Sequence, residues 1–176
     1  LDLVQIDSGT DPLNLSPIHL QFWIAHVLEP FVDRTCDQNQ HLEIVIPEDL
    51  PPLTTDLAYL KRALTELLHN AFKYTPSGEN ITVSARLSSS QSRNFIQIEV
   101  SNTGVEIPAL ERDRIFDKFY RIPNNDPWKH GGTGLGLSLV KKIVQRLGGA
   151  IWVESCHSLT QFILQLPVER PSREMS

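Results

Sequence analysis

The stretch Gly131-Gly132-Thr133-Gly134-Leu135-Gly136-Leu137 leads directly into an apolar pattern of helical spacing. Apolar residues recur three and four positions apart through Leu147, so a glycine loop is predicted to open an amphipathic helix. The free N–H groups of a first helical turn and the helix dipole favour an anion, and glycine lets the backbone approach it closely. The junction therefore predicts a phosphate-binding loop, although a glycine-rich connection without a ligand has the same pattern.

The glycine spacing fits neither of two common phosphate loops. A kinase-type P-loop ends in Gly-Lys-Ser/Thr, whereas here Leu137 follows Gly136. The dinucleotide fingerprint needs G-x-G-x-x-G straight after a buried strand, but this loop reads G-x-G-x-G and follows the proline-broken polar segment 121–130. The loop therefore belongs to a third class of phosphate site, or binds no ligand.

A second group of polar residues lies on the most regular helix that the sequence predicts. This helix, over residues 57–75, has apolar residues at the spacing of a buried face, yet it carries Glu66, Asn70, Lys73 and Tyr74 within about two turns. Carboxylate and amide oxygens beside a lysine suit a Mg²⁺–phosphate group, because magnesium takes oxygen ligands and lysine offsets phosphate charge. A solvated polar face is the alternative for an isolated helix, and the downstream glycine loop favours the ligand site.

Composition limits the classes of protein to consider. The chain has 176 residues, of which 40% are hydrophobic and 21% charged, as expected for one soluble domain with a full core. Its net charge of −5 argues against nucleic acid or an anionic membrane as a direct partner. No apolar run has the length of a membrane span, and Cys36 and Cys156 lack ligand-like spacing. We therefore expect a cytoplasmic location.

Periodicity and breaker residues predict the remaining elements. These are an edge strand at 13–15, a helix from Ser16-Pro17 to about Gln38 with an irregularity at Pro30, strands at 41–46, 81–87 and 95–100, short helical pieces around 109–121, a helix ended by Gly148-Gly149, and strands at 150–155 and 160–166. Strands that follow one another directly in sequence favour antiparallel pairing. The order predicts an α+β, two-layer fold with helices on one face of a mixed, mostly antiparallel sheet of about five strands.

Four motifs, taken in order, resemble those of the catalytic and ATP-binding domain of sensor histidine kinases, which has the Bergerat ATP-binding fold. Glu66–Tyr74 with Thr75-Pro76 resembles the asparagine box, 102–108 the first glycine box, 115–121 the phenylalanine box, and 132–137 the second glycine box. The resemblance covers roughly residues 13–167 and implies three main helices and an ATP lid. Residues 1–12 resemble the end of a dimerisation hairpin with its linker, and 168–176 look like a disordered tail.

The resemblance implies roles for individual residues. Asn70 would supply an oxygen ligand to a Mg²⁺ that bridges the ATP phosphates, and Lys73 and Tyr74 would line the phosphates and the adenine–ribose face. Lys118 and Arg121 would reach the γ-phosphate from the lid. Other positions implied to contact ATP are Asn102, Gly104, Ile107, Phe119, Gly132, Thr133, Gly134, Leu135, Gly136 and Leu137. Ile115, Phe116 and Phe119 are expected mainly to anchor the base of the lid on the core.

The first glycine box departs from the family's usual Asp-x-Gly-x-Gly. Asn102 replaces the aspartate that accepts a hydrogen bond from the adenine amino group, and Glu106 replaces the second glycine. An amide can still accept that bond and can donate to the adjacent ring nitrogen, but the loss of charge assistance costs about 1 kcal/mol. Glu106 is expected to constrain the turn and to add negative charge near the phosphates. ATP binding is therefore predicted at the weak end for the family.

The acceptor histidine of such a kinase is typically followed directly by Asp or Glu, and none of the six histidines in this chain is. The expected reaction is therefore transfer of the ATP γ-phosphate to a histidine on a dimerisation domain that this chain lacks, for relay to the receiver domain of a response regulator. Alone, the chain should bind ATP without autophosphorylating. Two alternatives stay open: ATP hydrolysis with Glu66 as the general base, and a pseudokinase that acts by docking and binds nucleotide weakly.

Overall fold

The computed structural model describes residues 12–123 and 133–169. The α-helices in these ranges are α1 (Leu20–Leu28), α2 (Val32–Gln38), α3 (Leu57–Tyr74) and α4 (Gly136–Arg146). The strands are β1 (Leu15–Ile18), β2 (His41–Val45), β3 (Leu53–Asp56), β4 (Asn80–Ser90), β5 (Arg93–Thr103), β6 (Ala150–Cys156) and β7 (Leu159–Pro167). Short 3₁₀ turns cover Glu29–Phe31, Ala109–Glu111 and Arg114–Phe116. Across the described ranges, no helix combines the length and the apolar character that crossing a membrane requires.

Five strands form the main sheet, in the order β2-β4-β5-β7-β6. The β2–β4 pair is parallel and the other three pairs are antiparallel, as the short connections between consecutive strands predicted. Ile81, Val83 and Ala85 alternate with half-buried polar residues along β4, so one face of the sheet packs under the helices. The predicted α+β class, with helices over a mixed and mostly antiparallel sheet, is confirmed.

Helix α3 is fixed at its start by a buried carboxylate. Asp56 Oδ1 accepts hydrogen bonds from the N–H groups of Ala58 at 3.1 Å and Tyr59 at 3.3 Å, which satisfies two otherwise unpaired donors of the first turn. Its Oδ2 accepts from the N–H of Asn14 at 2.8 Å. Asp56 therefore connects the residue before β1 to helix α3, which carries the predicted magnesium ligand Asn70.

The predicted helix start at Ser16-Pro17 is wrong. Both residues lie in β1, which pairs with β3 in a separate two-stranded antiparallel sheet. A proline is compatible with such a strand because its missing N–H can face away from the ladder. The helix begins at Leu20 instead, and β3 was missed because a four-residue strand directly after a proline pair gives little periodic signal. The irregularity expected at Pro30 is confirmed as a 3₁₀ turn between α1 and α2.

Two predicted boundaries change on the other side of the sheet. The loop expected over 88–94 shrinks to the turn residues Gln91 and Ser92, whose φ angles of 48° and 62° suit a two-residue hairpin. The domain also extends past the predicted end at Pro167, since Val168 donates to the carbonyl of Asn94 and accepts from the N–H of Thr54. Residues 1–11 and 170–176, which hold most of the predicted linker and tail, lie outside the described residues.

The predicted end of α4 at the glycine pair is confirmed. Gly148 has a φ of 82°, and its N–H donates to the carbonyl of Gln145 at 3.0 Å. Gly149 donates to the carbonyl of Val144 at 2.9 Å. A Cβ on Gly149 would lie 2.1 Å from the carbonyl oxygen of Gln165, so this position has no room for a side chain. The pair both ends the helix and lets the chain enter β6 against β7.

Candidate functional site

A cavity of about 330 Å³ lies between α3, the start of α4, and the ends of β5 and β7. The predicted site residues that line it are Glu66, Asn70, Lys73, Tyr74, Asn102, Ile107, Arg121, Thr133, Gly134, Gly136 and Leu137. The fold thus brings residues from all four motifs to one cavity, although those motifs are spread over residues 66–137 of the chain.

Asn70 projects from α3 into one end of the cavity. Its side chain is half-buried and has no hydrogen-bond partner within the described ranges, so its amide oxygen is available to a ligand. One turn further along α3, the Lys73 ammonium lies 4.8 Å from the centre of the Tyr74 ring, within cation–π range. This end combines an unpaired amide and an ammonium group, as the predicted phosphate site requires.

Glu66 connects this end of the cavity to the start of α4. Its Oε1 pairs with Arg62 at 2.8 Å, one helical turn earlier. Its Oε2 would lie 2.9 Å from a Cβ built on Gly136, the first residue of α4. A side chain at this position would therefore displace the flexible Glu66 carboxylate from its place in the cavity wall. The carboxylate and the positive end of α4 together form one wall of the cavity.

Asn102 lines the same cavity from the sheet, near the end of β5. It pairs with Ile81 on one side and with Thr160 on the other, which directs its side chain to the helix-covered face of the sheet. Only 5% of the residue is exposed. Its side-chain amide has no hydrogen-bond partner in the described part of the chain, and the residue lines the cavity. Buried amides usually have hydrogen-bond partners within the protein. Because the Asn102 amide has none among the described residues, it is available to a ligand.

Two hydroxyl groups that the sequence motifs did not indicate hold the loop next to Asn102. The Thr160 hydroxyl donates to the carbonyl of Val105 at 3.0 Å, and the N–H of Ile107 donates to the Ser155 hydroxyl at 2.8 Å. The two hydroxyls also contact each other at 2.8 Å. Polar residues at core-facing positions of β6 and β7 were the available signal. These bonds fix the segment 105–107 against the β6–β7 hairpin.

Glu106 does not strain this turn, contrary to expectation. Its φ is not positive, and its carboxylate accepts a hydrogen bond from the N–H of Ser158 at 3.1 Å, on the tip of the β6–β7 hairpin. Gly104 does need glycine: its φ is 80°, and a Cβ would lie 2.9 Å from Pro76. Gly104 does not line the cavity, so its contribution is the packing of the turn on the end of α3.

The phenylalanine box anchors the lid only in part as predicted. Ile115 and Phe116 are buried, but the Phe119 ring is 71% exposed and lies outside the cavity. Phe119 has a φ of 62°, which turns its side chain outward, and its N–H donates to the carbonyl of Gly134 at 3.0 Å. A Cβ on Gly134 would lie 2.9 Å from the Phe119 backbone. Backbone contact therefore closes the base of the lid, and the prediction that the Phe119 ring anchors it is wrong.

Two further predicted contacts do not line the cavity, and a third cannot be placed. Lys118 is exposed and does not line the cavity, and Leu135 is the residue that precedes α4. Gly132 lies outside the described residues. Tyr120, which sequence reasoning did not select, lines the cavity instead.

The Tyr120 ring is fixed from two sides. Its hydroxyl donates to the Glu111 carboxylate, and the Arg114 guanidinium lies 4.5 Å from the ring centre. The hydrogen bond to Glu111 raises the pKa of the Tyr120 hydroxyl. Because neither partner belongs to the four motifs, pattern matching could not have identified this arrangement.

The model of the family described as histidine kinase-, DNA gyrase B-, and HSP90-like ATPase matches residues 55–170. The chain belongs to this ATPase family. The adaptive-response sensory kinase SasA of Nostoc sp. is 35% identical over 171 residues, which are 95% of this chain and 41% of that kinase. The sensor histidine kinase WalK of Bacillus subtilis is 30% identical over 88% of this chain and 25% of its own length. The chain thus spans less than half of the length of each of these two relatives.

Solved structures agree with this assignment. The catalytic domain of the histidine kinase ThkA superimposes with a TM-score of 0.75 at 27% identity, over 88% of this chain and 96% of that domain. Full-length ShkA in complex with AMPPNP gives a TM-score of 0.79 at 23% identity, over 93% of this chain and 33% of ShkA. The Bergerat fold expected from the four motifs is therefore the fold of this ATPase-family chain.

Proposed function

We propose that the cavity binds ATP with Mg²⁺, and that the domain transfers the γ-phosphoryl group to a histidine on a dimerisation domain outside this chain, for relay to the receiver domain of a response regulator. The observation that carries the proposal is the pair Asn70 and Asn102. Each presents a side-chain amide without a hydrogen-bond partner among the described residues, and the two line one cavity from α3 and from β5 in a member of an ATPase family. One amide suits a metal–phosphate group and the other suits a purine edge.

The residues at the phosphate end fit a magnesium–nucleotide complex. In the described ranges, no three His, Cys, Asp or Glu residues cluster as a metal site, so a bound ion would be held by Asn70 and by phosphate oxygens. Magnesium is commonly held by few protein ligands with substrate phosphates, and it neutralises phosphate charge when bound. Lys73 and Arg121 both line the cavity, and we assign the lid cation's role to Arg121 rather than to Lys118.

The residues at the other end fit adenine. The amide oxygen of Asn102 would accept from the exocyclic amino group, and its NH₂ would donate to the neighbouring ring nitrogen. Val105, Ile107 and Phe162 line the cavity together with Asn102 and offer apolar contact to a flat ring. The hydrogen bonds that fix segment 105–107 keep this surface in place before a ligand binds, which lowers the ordering cost of binding.

Kinase transfer is tested by mixing the chain with [γ-³²P]ATP–Mg²⁺ and a separately produced dimerisation domain that carries the acceptor histidine. We expect acid-labile phosphate on the added domain only, and loss of transfer with Asn70→Ala. Asn80→Ala is the matched control because Asn80 is an exposed asparagine at the start of β4. Label on the chain itself, or equal transfer by both variants, would contradict the proposal. ThkA, whose catalytic domain resembles this chain, has a solved complex with the response regulator protein TrrA, which supports a receiver domain as the later partner.

ATP hydrolysis is a second candidate because of the position of Glu66. Its Oε1 is paired with Arg62, but its Oε2 has no hydrogen-bond partner in the described part of the chain and belongs to the cavity wall. A carboxylate oxygen in this position can accept a proton from an attacking water. Steady phosphate release by the isolated chain that Glu66→Gln abolishes, with ATP affinity retained, would favour hydrolysis over transfer.

A further inference from the structure

A second, more open cavity of about 610 Å³ lies between α2 and the C-terminal half of α3. Its lining includes Arg34, Gln40, His69, Phe72 and Lys73, and contains no aspartate or glutamate. We call it the α2–α3 groove. His69 and Lys73 line both this groove and the nucleotide cavity, so the groove borders the proposed phosphate end.

Arg34 lies in the groove against two aromatic rings, and no described residue is its acidic partner. Its guanidinium lies 5.8 Å from the centre of the Phe31 ring and 5.6 Å from that of Phe72, and the two buried rings stack on each other at 5.2 Å. Within the described ranges no carboxylate lies within ion-pair distance of Arg34. One of its N–H groups donates to His69, which leaves most of its five donors for a ligand. A fixed and unpaired guanidinium is well suited to bind an oxyanion.

His69 adds a second donor. Its Nδ1 lies 3.1 Å from an Arg34 guanidinium nitrogen, and because arginine only donates, Nδ1 is the acceptor. The neutral ring therefore carries its proton on Nε2, which becomes an N–H donor.

Gln40 supplies an acceptor that still requires a donor. The residue is only 5% exposed, and its Nε2 donates to the carbonyls of Phe72 at 3.1 Å and Thr75 at 2.6 Å. These two bonds fix the orientation of the amide, because two carbonyl oxygens can only face the NH₂ group. Its Oε1 is buried and has no partner in the described part of the chain. Such an orphaned acceptor is costly, and a ligand with an O–H or N–H group would satisfy it.

We propose that the α2–α3 groove is a binding site for a protonated phosphate group, either free phosphate or the monoanion of a phosphate monoester. Such a group accepts from Arg34 and His69 while its own O–H donates to Gln40. Sulfate and carboxylate ions carry the negative charge but have no proton to donate at neutral pH, so they satisfy only half of the site. The proposal is independent of nucleotide binding, since its three named residues need no bound ATP.

The test is a titration of the full chain with sodium phosphate at pH 6.5, followed by NMR of the Arg34 Nε–H and the His69 ring signals. We expect saturable shifts of both groups. Phosphate should bind at least about tenfold more weakly to Arg34→Met, because this variant loses a charge-assisted hydrogen bond to the ligand. Arg93→Met, on the exposed β4–β5 hairpin, is the matched control and should bind phosphate as the wild type does. Sulfate at equal ionic strength should bind the wild type several-fold more weakly than phosphate.

Two further comparisons distinguish free phosphate from a phosphorylated partner, and phosphate binding in the groove from ATP binding in the nucleotide cavity. If inorganic phosphate binds as tightly as a phosphoserine peptide, the site takes free phosphate, whereas tighter binding of the peptide indicates a phosphorylated partner. ATP affinity measured on the same variants should not change in Arg34→Met. The proposal fails if phosphate and sulfate shift the signals equally, if Arg34→Met binds phosphate normally, or if that variant loses ATP and phosphate binding together. A thermal melt of Arg34→Met and the milder Arg34→Lys excludes misfolding as the cause.

Discussion

Replacing Asn102 by aspartate should change the purine selectivity of the nucleotide cavity. The Asn102 side chain is buried and has no protein hydrogen bond within the described ranges, so nothing in the protein fixes which way its amide faces. In one orientation it complements adenine, with its oxygen accepting from the amino group. Rotated by half a turn it complements guanine, donating to the ring carbonyl and accepting from the ring N–H. The wild-type chain should therefore bind ATP and GTP with affinities within about tenfold of each other.

Aspartate removes this freedom because an ionised carboxylate only accepts. Opposite adenine, Asn102→Asp loses the donation to the ring nitrogen, but the bond from the amino group becomes charge-assisted, so the two changes roughly offset and ATP affinity should hold within about threefold. Opposite guanine in the same place, the donation to the ring carbonyl is lost as well, and the negative carboxylate then lies against the partly negative carbonyl oxygen, which repels it. One lost bond and one unpaired acceptor cost about 2 kcal/mol, or roughly thirtyfold in GTP affinity.

The assay is calorimetric titration of ATP–Mg²⁺ and GTP–Mg²⁺ into the wild type, Asn102→Asp and the exposed-site control Asn80→Asp. The ratio of the two dissociation constants should rise by roughly thirtyfold in Asn102→Asp alone. An unchanged ratio, or a wild type that already rejects GTP by more than about a hundredfold, would refute the assignment of Asn102 to the purine edge.

Three further outcomes follow from the geometry. Gly149→Ala places a Cβ 2.1 Å from a backbone oxygen of β7, so the free energy of unfolding in urea should fall by about 3 kcal/mol; a loss below about 1 kcal/mol would show that the turn adapts. Gly136→Ala pushes on the Glu66 carboxylate, and calorimetry should show ATP affinity reduced by about five- to tenfold with an unchanged melting temperature. Burial and the Arg34 charge lower the pKa of His69 below its usual 6.5, so below that pH the unfolded chain takes up a proton more readily than the folded one. The contribution of His69 to stability is therefore present above pH 6.5 and is lost as the pH falls below that value. Because Arg34→Met removes the neighbouring charge, NMR titration of that variant should show a higher His69 midpoint.

Local pattern was enough to predict the main elements and one end of the site. The apolar spacing of α3 and the glycines before α4 depend on near neighbours in sequence, so they identified the helix with Asn70 and the loop with Gly136. The start of α1 was misplaced because Ser16-Pro17 has the local chemistry of a helix start. A long-range pairing with β3 overrides that preference, and pairing partners cannot be read from one short segment.

The supporting contacts of the site could not be predicted because they join distant segments. Ser155 and Thr160 hold the loop beside Asn102 from a hairpin some fifty residues further along the chain. Phe119 matched a motif, but its positive φ turns the ring out to solvent. This backbone dihedral accompanies the hydrogen bond from the Phe119 N–H to the Gly134 carbonyl, a contact that the pattern of side chains does not indicate.

The most direct test of the central claim is an NMR titration of the ¹⁵N-labelled chain with AMPPNP–Mg²⁺, read at the side-chain amides of Asn70 and Asn102. If the cavity is the nucleotide site, both amide signals shift and saturate with one common dissociation constant, because one ligand spans both ends. Saturable binding that leaves both signals in place, or moves only one of them, would contradict the account.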